Sequence, residues 1–163
     1  MKKIKWIIIL VNLLLLIGYI NFSLVQKEKI IANGTLILFE LAPVDPRSLI
    51  QGDFMRLNYA ISALAPSDSL HKRGYCVVKL SPEGVAVKER LQEHSSPLYE
   101  HEYLIPYTSS GTNDINIGAE SYFFQEGNAE RFEKAKYGGI KVDAAGNSLL
   151  VGLYDEKRIK IED

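Results

Sequence analysis

A chain of 163 residues, 47% hydrophobic and 24% charged, can bury one core of its own but not two. Its formal net charge is −1, but Lys2, Lys3 and Lys5 precede the first apolar run, which leaves 16 of the 19 basic residues facing 20 acidic ones downstream. A mildly acidic domain of this kind does not suit nucleic acid or adsorption to anionic lipid by charge alone, and the single cysteine, Cys76, excludes an intramolecular disulfide.

Residues Trp6 to Val25 form an apolar run interrupted only by Asn12, Gly18, Tyr19, Asn21 and Ser23. About 20 residues at helical rise match the ~30 Å hydrocarbon core of a bilayer. Lysines ahead of the run place that end in the cytoplasm, although Lys27 and Lys29 flank the other end. The run is long, no small-x-small cleavage site follows, and no cysteine is available for lipoprotein processing. We read an uncleaved single-pass signal anchor in the cytoplasmic (inner) membrane. Residues 1–30 are then anchor and linker, and 31–163 a β-rich domain outside the cytoplasm. Asn12 is either tolerated in the run or pairs anchors across a helix interface through its amide. Lys27 to Ile31 read as a short linker or the frayed end of the anchor helix.

Asn33-Gly34 is a turn, and Thr35 to Leu41 is apolar on both faces up to Glu40, the pattern of a central strand. Asp45-Pro46-Arg47-Ser48 opens a helical turn that Gly52 closes, because proline suits the first helical position and glycine the left-handed cap. After Asp53, residues Phe54 to Ile61 alternate. Met55, Leu57, Tyr59 and Ile61 share one face, with Phe54, Arg56, Asn58 and Ala60 on the other, as in a half-buried strand. Asp45, Arg47, Gly52 and Asp53 either only build this corner or, with Arg56, also present charge at a binding surface.

Ala63 to Gly74 reads as a loop. Tyr75 to Leu80 and Val85 to Leu91 form a hairpin around Ser81-Pro82-Glu83-Gly84, and Gln92 to Glu102 is a polar loop. Tyr103 to Tyr107 is an edge strand, since Pro106 cannot donate to a ladder. Ile115 to Phe124 breaks at Gly118, with Ser121 to Phe124 its most strand-like part. A helix is predicted from the Asn128 cap to about Lys136, ended by Gly138-Gly139, with Phe132 and Ala135 inward. Ile140 to Asp143 and Ser148 to Tyr154 form a last hairpin, and Arg158 to Ile161 a final strand or tail.

Several residues could carry chemistry. Cys76 with His71, His94 or His101 would make a nucleophile and base, yet Cys76 alternates with apolar neighbours as a small core residue does. His94 and His101, among Glu93, Glu100 and Glu102, are zinc ligands by type, but their spacing fits no compact metal motif. Ser48 with Lys79 would make a serine–lysine hydrolase, without a nucleophile motif around either. The sequence calls for no cofactor and no metal.

The stretch Gly52-Asp53-Phe54-Met55-Arg56-Leu57-Asn58-Tyr59 resembles the signature of the GDYXXLXY family of small membrane-anchored bacterial proteins, with Phe54 in place of the first tyrosine. Asp45-Pro46-Arg47 and Tyr122-Phe123-Phe124-Gln125-Glu126-Gly127 also look like family features, and Glu126 could pair with Arg47 or Arg56. The resemblance implies no established activity. It implies that relatives accompany a multi-spanning membrane protein, so the expected partner is an integral protein of the same membrane. The whole reads as a mainly β, antiparallel barrel or sandwich with one short α-helix in its C-terminal half, behind a single transmembrane helix. An accessory interaction domain is the expected function. The rivals are an envelope hydrolase around Ser48 and Asp53, and a β-barrel that binds a small ligand.

Overall fold

A computed structural model describes residues 2–42, 50–51, 54–64, 71–109, 114–125 and 127–162. Helix α1 runs without a break from Lys2 to Asn33. Its stretch from Ile4 to Asn33 is long and apolar enough to cross a membrane. Of the two readings of Lys27 to Ile31, a linker or the end of the anchor helix, the second holds: the segment is helical throughout. At 1.5 Å per residue, Asn33 stands about 12 Å beyond Val25, the last residue of the apolar run.

The helix ends against the sheet. The Gly34 amide donates to the Ile30 carbonyl at 2.8 Å, Ile30 is buried, and the Lys141 ammonium donates to the Ile31 carbonyl. Strand β1 (Thr35–Glu40) then pairs antiparallel with β8 (Tyr137–Val142), which pairs with β9 (Ser148–Tyr154). A second sheet has the order β2–β3–β7, from Ile50–Gln51, Phe54–Arg56 and Ser121–Phe123. The third has the order β5–β4–β6, from Ala86–Gln92, Arg73–Leu80 and Glu102–Thr108. Among the described residues all the ladders are antiparallel, and the sheets do not close into a barrel. Pro106 lies on the end strand β6, where its missing N–H costs no central pairing.

Four expectations are corrected. Strand β1 lies at the end of its sheet. Its middle residues Ile37, Leu38 and Phe39 are buried while Thr35 and Leu36 are exposed, and its outer edge is met by other segments: the Leu38 amide reaches the Gly84 carbonyl at 3.0 Å and Leu41 bridges Tyr59. The strand expected over Phe54 to Ile61 keeps ladder pairing only to Arg56, and Ala60–Ser62 forms a 3-10 turn. Its alternation survives nonetheless, with Met55, Leu57, Tyr59 and Ile61 all buried.

The helix expected to reach Lys136 is a single turn, α2 (Ala129–Phe132). Lys136 already belongs to the sheet: its carbonyl accepts from Leu41 at 2.9 Å and its amide donates to Tyr154 at 2.8 Å. Pairing with β1 thus overrides local helix propensity. Gly138 and Gly139, read as the helix stop, are residues of β8.

The core gathers the inward faces of all three sheets. Ile37, Phe39, Leu57, Tyr59, Val78, Ile105, Phe132, Ile140 and Leu153 are among its buried members. Phe132, from the one-turn helix, is fully buried and closes the layer over β7.

Candidate functional site

The described part of the signature stretch, Phe54 to Tyr59, divides by face. Leu57 and Tyr59 are 1% and 2% exposed, and the Tyr59 hydroxyl donates to the Ala119 carbonyl at 2.7 Å. Burial, with a smaller push from the Glu120 carboxylate, raises the phenol far above its ordinary range, so it stays protonated and donates. Phe39 meets the Tyr59 ring edge-on, at 6.1 Å between centroids. These two motif positions build the core.

The other face is open. Register sets Phe54 opposite Phe123 and Arg56 opposite Ser121. The two phenyl rings lie 5.8 Å apart, yet Phe123 remains 72% exposed. Phe54, which replaces the family's first tyrosine, therefore packs through its ring and needs no hydroxyl. Beside Phe123 is an open hollow of about 380 Å³ lined in part by Ala119, Ser148, Leu149 and Leu150. Tyr122 points the other way, onto Phe132 at 5.2 Å, and Phe124 stacks on Phe132 at 5.3 Å. Gly127 has a φ of 90°, the left-handed region where glycine is at ease. Asp45, Pro46, Arg47, Ser48, Gly52, Asp53 and Glu126 lie outside the described residues, and with them the ion pair expected of Glu126 and the hydrolase centred on Ser48.

A second arrangement fixes the loop between β5 and β6. The Glu102 side chain is only 2% exposed, and Arg90 holds it with two bonds, at 2.7 and 2.8 Å. The Tyr99 amide adds a third at 3.0 Å, and the Lys79 ammonium lies 3.9 Å away. Arg90 also donates to the Pro97 carbonyl and to Gln92, and lies over the Tyr99 ring. The Arg90 bonds outweigh the cost of burial, and with the Tyr99 amide and the charges of Arg90 and Lys79 they hold the Glu102 carboxyl down at about 2. A carboxylate so fully bonded is a poor proton acceptor and serves as a clamp. It supports the exposed side chains of Leu98 and Tyr99, and Leu98 lines a cleft of about 510 Å³ together with Asn33, Thr35 and Asp143.

The described residues weighed for catalysis sit in unlike settings. Cys76 is buried in β4. His94 and His101 are exposed, and His101 meets only the equally exposed Glu100, at 3.7 Å. Lys79 faces Glu89 at 3.5 Å as well as Glu102. Among the described residues, no three His, Cys, Asp or Glu side chains are grouped to hold a metal.

Sequence reasoning missed the clamp of Arg90 and Glu102. The available signal was Glu102 heading an apolar strand, two positions before buried Leu104 and so on the same face. Its partner lies two strands away, through β4, which no local pattern reveals.

A family model described as GDYXXLXY protein matches residues 16–153, most of the chain and both halves of the aromatic face. No curated protein and no solved structure matches.

Proposed function

Because the chain belongs to the GDYXXLXY protein family, we propose that it acts as a single-pass, membrane-anchored accessory domain whose partner is an integral protein of the same membrane. In this reading Lys2, Lys3 and Lys5 stay in the cytoplasm of a bacterium, and the β domain faces the other side of the inner membrane.

The observation that carries the reading is the join between helix and domain. The last turn of α1 is tied to the sheet through Ile30, Ile31, Gly34 and Lys141, with no flexible tether between them. An enzyme or carrier acting on freely diffusing molecules gains little from a fixed height and orientation above the bilayer. A domain that meets another membrane protein gains much, because the orientational cost of docking is met in advance. The open ring of Phe123, supported by Phe54, is an extramembrane contact of the aromatic kind that interface centres favour.

Affinity purification of the full chain from mild-detergent extracts of its own cells tests this. Enrichment of one integral membrane protein over a control carrying an unrelated single-pass helix and no β domain is expected. Recovery of no membrane protein above that control would count against the reading.

A further inference from the structure

We infer that the face of α1 in line with Ile30, carrying Asn12, Tyr19 and Ser23, is the docking surface for a membrane-spanning helix of a second, different protein. The inference deepens the proposed function and rests on its membrane placement.

At 100° per residue, Asn12 precedes Ile30 by about five full turns, so the two lie in one line along the helix. Tyr19 and Ser23 fall within roughly 20° of that line. The remaining amide of the apolar run, Asn21, falls on the opposite side and donates to its own helix at the Ile17 carbonyl, at 2.9 Å. One polar side chain thus satisfies itself, and three gather on a single face at successive depths. Hydrocarbon offers these groups no hydrogen bond, whereas a neighbouring helix does.

The domain decides what kind of neighbour fits. Ile30 is buried against the domain, where the end of α1 meets β8 and β9, so the domain overhangs this same face. A second copy docking by the same face would bring its own domain over the same ground, since a two-fold interface uses one patch twice. The rise of about 7.5 Å between Val25 and Ile30 leaves room beneath the overhang for a short connection. A helix of a multi-spanning protein, turning back into the bilayer after a short loop, fits this space. The partner helix is expected to bring a side chain that hydrogen-bonds near the depth of Asn12.

The test is photo-cross-linking of the full chain in its own cell membranes. A benzophenone amino acid replaces either Leu16, about 40° from the line, or Leu14, at nearly the same depth on the far side. Adducts to a different integral protein at least tenfold stronger from position 16 are expected, and Asn12→Leu combined with Ser23→Leu should remove them. Equal adducts from both positions, adducts of twice the chain mass, or adducts to lipid alone would each overturn the inference. If the wild-type chain still co-purifies with a membrane protein in those cases, the proposed function stands and only this docking face is wrong. If nothing co-purifies, both fall.

Discussion

The ring of Tyr59 occupies the space where a side chain at Gly138 would begin: a Cβ there would come within 2.8 Å of the ring and 2.9 Å of the hydroxyl oxygen. The tyrosine that ends the family signature and a glycine some eighty residues later are thus one packing unit. Gly138→Ala must push the buried ring off the Ala119 carbonyl or move β8 away from β1. Overpacking of this kind costs about 1–3 kcal/mol. Tyr59→Phe leaves the carbonyl without its donor, at about 1 kcal/mol or somewhat more. Urea unfolding of the full chain in micelles should show both losses, and unchanged midpoints would mean that the contact is loose.

Acid should release the β5–β6 loop. The Glu102 carboxyl is depressed from 4.5 to about 2, so its contribution to stability is complete above pH 4.5 and is lost as the pH falls toward 2. Asp143 adds to the same slope. Burial works against its charge, but bonds from Asn147, Ala145 and Gly146 hold it below its ordinary value. Protection of the Tyr99 amide from hydrogen exchange, taken against the free-peptide rate at each pH, should fall through this window in the wild-type chain. In Glu102→Gln the same amide should exchange fast already at neutral pH.

Phe123 stands on the surface, so Phe123→Ser should lower stability by about 1 kcal/mol or less. Its effect on recovery of the membrane partner should be larger, several-fold, because exposed aromatics anchor interfaces. A variant that loses stability but binds as well as wild type would make the ring a packing element only.

The placement of the two ends has its own outcome. Alkaline phosphatase fused after Asp163 should be active and a fluorescent protein fused there dark, as for a C-terminus outside the cytoplasm. The intact mass should retain residues 1–30. A chain shortened to begin near Gln26 would mean that the leader is removed.

Periodicity carried most of this fold. The phase of Met55, Leu57, Tyr59 and Ile61 was legible although half of that stretch is not ladder-paired, because burial follows side-chain alternation more closely than hydrogen bonding does. The turns at Gly84 and Gly146 were equally plain, both with positive φ. Gly138-Gly139 misled for a definite reason. Glycine after a polar, helix-forming stretch normally caps it, while here the missing side chains make room for Tyr59 and Tyr154 from elsewhere in the chain. The Glu102 clamp was hidden likewise, since Arg90 and Glu102 meet only once β5, β4 and β6 are laid side by side. What depends on local rhythm could be read, and what depends on which strands become neighbours could not.

The account depends on α1 and the β domain moving as one body toward a partner in the same bilayer. Four Gly/Ser residues inserted between Asn33 and Gly34 would break the Gly34–Ile30 bond and release Ile30 while leaving the core between the sheets in place. Co-purification of the membrane partner, measured for this insertion against the wild-type chain at equal expression, should fall about tenfold while the unfolding midpoint stays the same. Equal recovery from the loosened chain would contradict the account.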